Sequence, residues 1–283
     1  MSRSRTDFAL VWALRGLASI AGGIVVLIMA FLLIEAWPAL HTIGLARFFT
    51  DASWHPTSDS YNLVPMLLGT LFATAGAVLL ATPLGVCSAV FCHYYAHPTI
   101  ARQYRRIIEL FAGIPSVVYG FWGLVALVPL IRRIHPPGAS LLAGILVVGI
   151  MILPTVMMTA DASLVNVPSH QLRGAAALGL SRCGMLRGVV FPYAKRCLYT
   201  GLILQTGRAL GETMAILMVC GNVVQTPKSL FIPIRTLSAN IALEMAYATD
   251  GHRSALFVGG LLLMGMIVVL VLLADRLCRS AVQ

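Results

Sequence analysis

Five stretches of this chain contain no Asp, Glu, Lys or Arg over lengths that match a lipid bilayer: residues 16–34, 62–92, 110–131, 134–160 and 254–274. About 17–25 apolar residues cross a hydrocarbon core roughly 30 Å thick. Inside that core every backbone N–H and C=O must be satisfied within the chain, so such runs become helices. A sixth run, residues 197–219, reaches the same length only if Arg208 and Glu212 are admitted to it. The pattern predicts an all-α membrane protein with about six transmembrane helices in one membrane domain. Charged residues make up 11% of the chain against about 25% in soluble domains, which excludes the soluble globular class.

The first run could be read as a secretory signal, since Arg3, Arg5 and Arg15 precede it. Signal cores are shorter, about 7–15 residues, and end at a small-residue cleavage pattern. None precedes Glu35, Trp37 and Pro38 here, so 16–34 reads as a retained span. Residues 1–61 then form an N-terminal transmembrane helix with an outer loop, and 62–283 the membrane core.

The formal charge of +10 invites a nucleic-acid partner, but its distribution gives another reason. With six spans and the N-terminus inside, thirteen basic residues fall on inner segments: Arg3, Arg5, Arg15, Arg102, Arg105, Arg106, Arg173, Arg182, Arg187, Lys195, Arg196, Arg276 and Arg279. Six fall outside: Arg47, Arg132, Arg133, Lys228, Arg235 and Arg253. This asymmetry sets orientation in membranes and places both termini in the cytoplasm. It also attracts anionic lipid, and no nucleic-acid partner is expected. The six cysteines form no CxxC pair and read as small packing residues.

Between the spans, WPALHTIGLARFF suggests a short interfacial helix with Trp37 and Trp54 near the headgroups. Pro83, Pro115 and Pro154 fall inside spans and are expected to kink them or to sit at turns. The long inner connection, 161–196, is too polar to span. Its Ala175, Ala176, Ala177 and Leu178 favour a short helix that Gly179 ends, which suits docking onto another protein. The outer segment 222–253 contains a second short helical pattern with Ile241, Leu243, Met245 and Ala248 on one side; it either lines a vestibule or caps the bundle.

No phosphate-binding GxxxxGK[ST] occurs, so nucleotide hydrolysis is not expected in this chain. His93 and His97 are four residues apart but lack an obvious third metal ligand. Glu109, Ser116, His135 and Asp161 would have to converge in space to make an embedded enzyme, and their spacing does not require it. Arg208 and Glu212 remain. On one helix they would share a face, yet Arg before Glu is the less favourable order. Gly207 and Gly211 around them leave room for another helix. Ionisable residues inside a membrane mark ion or substrate paths, and a guanidinium fork matches an oxyanion such as phosphate. Both residues are therefore candidates for a translocation site.

The segments AGIPSVVYGFWGLVALVP, GRALGETMAILMVCGN and TLSANIALEMA, with Gly179, Val189 and Pro192 spaced as in a coupling motif, resemble the PstC family of phosphate ABC importer permeases. The resemblance implies a type I ABC importer permease fold over 62–283, in a bacterial inner membrane, with 161–196 as the coupling loop. It also implies three partners: a PstA-like permease, a PstB-like ATPase dimer that holds ATP and magnesium, and a PstS-like phosphate-binding protein. No cofactor belongs to this chain. Arg208 and Glu212 match the family's substrate path, while Arg173, Gly174, Ala175, Gly179 and Pro192 match its ATPase contact. Arg173 stands where the motif has glutamate, so one docking acid has become a base. Another oxyanion (phosphonate, sulfate or molybdate) is the alternative substrate.

Overall fold

The apolar runs do become helices, with boundaries shifted by proline and by tertiary packing. The computed structural model describes residues 5–280. Helix α1 (Arg5–Thr42) does not stop at Ile34 but runs through Pro38, because Ala36 and Ala39 are buried against the rest of the bundle. After α2 (Arg47–Thr50), strands β1 (Trp54–His55) and β2 (Ser60–Tyr61) pair antiparallel with Trp54 opposite Tyr61. Trp37 is exposed, as an interfacial residue would be, but Trp54 is buried at 4% exposure. The headgroup position expected for Trp54 is thus corrected; its indole N–H is satisfied inside the protein instead, as described below.

Helix α3 (Val64–Val90) opens with Pro65 in its first turn and the Asn62 Oδ1 accepting from the Val64 N–H at 2.9 Å. It continues through a π-helical turn to Tyr95. Helix α4 (Pro98–Ala112) follows and ends before Pro115. Helix α5 (Ser116–Trp122), a π turn and α6 (Val128–Ile134) then form one membrane-length segment. The third crossing therefore starts at Ser116 rather than 110. The fourth, α7 (Leu141–Val165), starts at 141 rather than 134, capped by the Ser140 hydroxyl accepting from the Ala143 N–H. In both cases a Pro or a Gly-Pro cluster sets the boundary, which an absence of charge does not reveal.

The remaining helices are α8 (Ser169–Ala177), α9 (Arg182–Met185), α10 (Phe191–Leu210, joined to α9 by a π turn), α11 (Met214–Val219), α12 (Leu237–Glu244) and α13 (Asp250–Ser280). Among the described residues, five helices are long and apolar enough to cross a membrane: Leu10–Thr42, Val64–Tyr95, Ser116–Ile134, Leu141–Val165 and Asp250–Leu273. Helix α10 is a sixth long helix that carries Lys195, Arg196 and Arg208. The sixth run is not one helix, since α10 ends at Leu210 and α11 begins at Met214.

The centre of the bundle is the pairing of α3 with α7, flanked by α10, while α13 joins α10 to α1. Small residues let α3 and α7 approach: a Cβ at Gly76 would lie 2.5 Å from Ile145, at Gly85 2.7 Å from Val156 and at Gly149 2.8 Å from Leu80. The chain leaves a hairpin end, where β1, β2, α12 and the start of α7 meet, and an opposite end with α4, α8 and the start of α10.

Candidate functional site

Arg208 occupies the last turn of α10, where its charge is favourable to the helix dipole. Gly211 terminates the helix, and the chain passes through Glu212 and Thr213 into α11. The break changes the relation between the two candidate residues. They do not share a helical face, and no ion pair joins them among the described residues. Glu212 is instead fastened to the break: its Oε1 accepts from the Ala215 N–H at 3.1 Å, and its carbonyl accepts from the Ser238 hydroxyl at 3.0 Å. The carboxylate thus sits at the start of α11, and α12 holds the backbone. The break falls at Gly211, which has an ordinary right-handed φ of −81°, and it is held by these bonds to Glu212.

Arg208 is exposed and has no hydrogen bond or ion pair among the described residues. Its charge is within electrostatic reach of Tyr119 on α5, whose hydroxyl donates to the Phe111 carbonyl at 2.9 Å. Leu204, Arg208 and Gly211 recur at i, i+4 and i+7 and are all exposed, with half-buried Gly207 between them. A Cβ at Gly207 would meet nothing within 4 Å, and at Gly211 only carbonyls of the same helix. Among the described residues, no other helix covers that stripe. The adjoining face of α10 is tied down, with the Thr155 hydroxyl of α7 donating to the buried Gln205 Oε1 at 2.6 Å and Gly201 packed against Thr159. Helix α10 therefore presents one free guanidinium on an open face and a hydrogen-bonded face to the bundle.

At the opposite end, α8 ends as its composition predicts. Gly179 has φ +69°, its N–H donates to the Ala176 carbonyl at 3.0 Å, and the Leu180 N–H donates to the Ala175 carbonyl at 3.2 Å. These two bonds form the glycine-terminated helix end that leaves few carbonyls unpaired. Arg173 and Gly174 are exposed on α8, Ala175 is buried, and Pro192 is exposed in the first turn of α10. Segment 161–196 folds into short helices at one end of the bundle, with Leu164, Val167, Leu186 and Val190 buried beneath its exposed residues.

Two charged networks escaped the sequence reading. At the hairpin end, Glu244 Oε1 accepts from Arg235 at 2.6 Å, and its Oε2 accepts from the Trp54 indole at 2.9 Å and lies 2.8 Å from the His252 Nε2. Arg235 also reaches the Asn240 side chain at 3.0 Å and the Asn222 carbonyl at 2.9 Å. The segment 222–253 is thereby a cap pinned to the bundle, lining an open pocket with Trp54 and His55. At the other end, Asp161 takes a bidentate pair of bonds from Arg105, each 2.9 Å, with His93 at 3.8 Å. That pairing raises the Arg105 pKa further, chiefly through the hydrogen bond to Asp161. Both networks join residues far apart in the chain, so no local spacing announces them. The four residues of the embedded-enzyme alternative do not all converge: Asp161 is engaged by Arg105, while His135 stacks on Phe231 at the other end of α7.

Comparison with known proteins agrees with this geometry. Residues 81–282 match the family described as binding-protein-dependent transport system inner membrane component. The chain is 34% identical to the phosphate transport system permease protein PstC of Mesorhizobium japonicum, over 86% of this chain and 79% of that one. It is 37% identical to the probable ABC transporter permease protein YqgH of Bacillus subtilis, over 80% and 75%. Among solved structures, a bacterial alginate ABC transporter, crystallised with its pentasaccharide-bound periplasmic protein, overlays with a TM-score of 0.69 at 15% identity, covering 99% of this chain and 98% of that one. The inward-facing MetNI methionine ABC transporter overlays at 0.62 and 19%, covering 77% and 95%.

Proposed function

The chain belongs to the family of binding-protein-dependent transport system inner membrane components, and we propose that it is the permease subunit of an ABC importer that carries inorganic phosphate across the membrane. It is a transport component and not an enzyme, with ATP hydrolysis assigned to a separate subunit. The relatives' substrate supports phosphate. The observation that carries the site is the free Arg208 on a face of α10 that no helix covers among the described residues.

A second, PstA-like permease laid against that stripe would enclose Arg208 between two subunits. The guanidinium would then meet phosphate as a planar fork, and the absence of a bonded carboxylate leaves its donors available. Glu212 acts by fixing the α10–α11 break, so that Arg208 stays at the end of its helix. Alternating access is driven by a PstB-like ATPase dimer that binds ATP and magnesium and docks around Arg173, Gly174 and Ala175 of α8, Gly179 just beyond it and Pro192 at the start of α10. A PstS-like protein delivers phosphate at the hairpin end. In this arrangement α8 and both termini are cytoplasmic, in a bacterial inner membrane.

The test is radiolabelled phosphate uptake normalised to assembled complex, with phosphonate, sulfate and molybdate as competitors. Arg208→Ala is expected to assemble normally and to lose nearly all uptake, and Arg208→Lys to keep a fraction. Normal uptake in Arg208→Ala would remove the pathway role, and stronger competition by another oxyanion than by unlabelled phosphate would reassign the substrate.

A further inference from the structure

Two residues separate helix α4 from Tyr95, the end of a membrane-length helix. At 32 residues that helix is longer than a hydrocarbon core about 30 Å thick, so α4 starts at one end of the bundle rather than within its apolar middle. Its faces divide sharply. Ala101 and Ile108 are buried against the bundle, with Tyr104 and Arg105 half-buried beside them. One flank carries Ile100, Ile107 and Phe111, each about half exposed. The other carries Arg102, Arg106 and Glu109 at i, i+4 and i+7, all exposed. A helix with one apolar flank and one basic flank lies in the membrane interface.

The basic flank borders a pocket of about 560 Å³ between α4 and the end of α3, lined by His93, Ala96, Arg102, Arg105, Arg106 and Glu109 among others. Arg105 is neutralised by its bidentate bonds to Asp161. Arg102 and Arg106 have no carboxylate within 4 Å among the described residues. They outnumber Glu109 on the rim. Arg182 adds a further charge beside the pocket, donating to the Tyr94 carbonyl and stacking over Tyr95.

We propose that this pocket binds the phosphate group of an anionic phospholipid, with Arg102 and Arg106 as its donors and the Arg105–Asp161 pair as the fixed floor. A phosphodiester offers two free oxygens to guanidinium groups, and basic pockets beside membrane helices take such headgroups. The apolar flank of α4 assigns the phosphate to a lipid rather than to a free anion, because it places acyl chains next to the same helix. The assignment is independent of which solute the protein carries.

Native mass spectrometry of the assembled complex, titrated with phosphatidylglycerol or phosphatidylcholine, reads the site directly. The wild type is expected to retain phosphatidylglycerol at least about tenfold more tightly, with the preference weakening at high salt. The double variant Arg102→Gln/Arg106→Gln should lose that preference, Arg102→Lys/Arg106→Lys should keep part of it, and Gln103→Ala should keep it all. Equal retention of both lipids by the wild type overturns the proposal even if the glutamine variant fails to fold. Displacement of the lipid by millimolar inorganic phosphate overturns the lipid assignment in favour of the free anion. Unchanged lipid binding with loss of the ATPase from the complex would make the arginines a protein-docking surface and also sink the proposal.

Discussion

Glu244 and Arg208 show two opposite uses of charge in one apolar chain. Glu244 is 7% exposed and neighbours Arg235, Trp54 and His252 from three separate segments. A buried charge is expensive alone, and removing its partner costs about 3–5 kcal/mol because the remaining ion has neither water nor a counter-charge. Glu244→Ala is therefore expected to lower the thermal stability of the purified complex by a free energy of that order, and Trp54→Phe by about 2 kcal/mol for one hydrogen bond to a charged acceptor. Equal unfolding midpoints for wild type and Glu244→Ala would show that the network is solvated and stabilises nothing. Arg208, by contrast, is exposed and unpaired, so its removal should leave stability unchanged while uptake falls. Arg208 was legible in the sequence because a cation interrupting an apolar run has no local excuse. Glu244 was not, because its tryptophan partner lies 190 residues away.

At the scale of elements, the sequence revealed where helices are but not where each one ends. A run free of charge specifies burial in lipid, yet Pro115 and Gly211 interrupt such runs without changing their hydropathy. Gly179 is the stop that sequence reading located correctly, and its φ of +69° explains why. A Cβ there meets nothing within 4 Å, so the cost of substitution is conformational rather than steric. Gly179→Val should insert and pair with its partner permease but lose co-purifying ATPase, since the end of α8 must unwind or shift. Wild-type ATPase yield with normal uptake would separate α8 from docking. The hairpin gives a pH-dependent counterpart. The Tyr61 backbone N–H, ahead of Arg47, holds the Asp51 pKa below its ordinary value. A carboxylate lowered in the folded state stabilises above its unfolded pKa, about 4, and that contribution disappears as pH falls through the folded value. Asp51→Asn should flatten the decline of the unfolding midpoint with acid in that window; an unchanged decline would mean that other groups cause it.

For the whole molecule, six crossings would return the chain to the side where it began. Five are apolar by composition and α10 carries its three cations, so an even count depends on α10 crossing despite them. Lys195 lies in the first turns of α10, where its long stem can carry the ammonium to the interface, and Arg196, one position on, is engaged within the protein. Only Arg208, about 16 Å further along the helix than Cys197, where the apolar run begins, would lie near the middle of a core about 30 Å thick. It faces the open stripe, which is a tolerable position if a second permease covers it. The basic asymmetry predicts a direction: α8 and α4 inside with the arginine-rich segments, and the hairpin outside. The chain ends themselves, including Ser2 and Gln283, lie outside the described residues. In a cysteine-free background, Thr57→Cys on the hairpin should react with an impermeant thiol reagent in intact cells. Ala177→Cys on α8, Ser2→Cys and Gln283→Cys should react only after permeabilisation. Labelling of Ala177→Cys in intact cells would invert the bundle, and with it the side on which an ATPase could dock. Labelling of only one terminus would leave an odd number of crossings and take α10 out of the membrane, so that Arg208 would need no transported anion to justify its place.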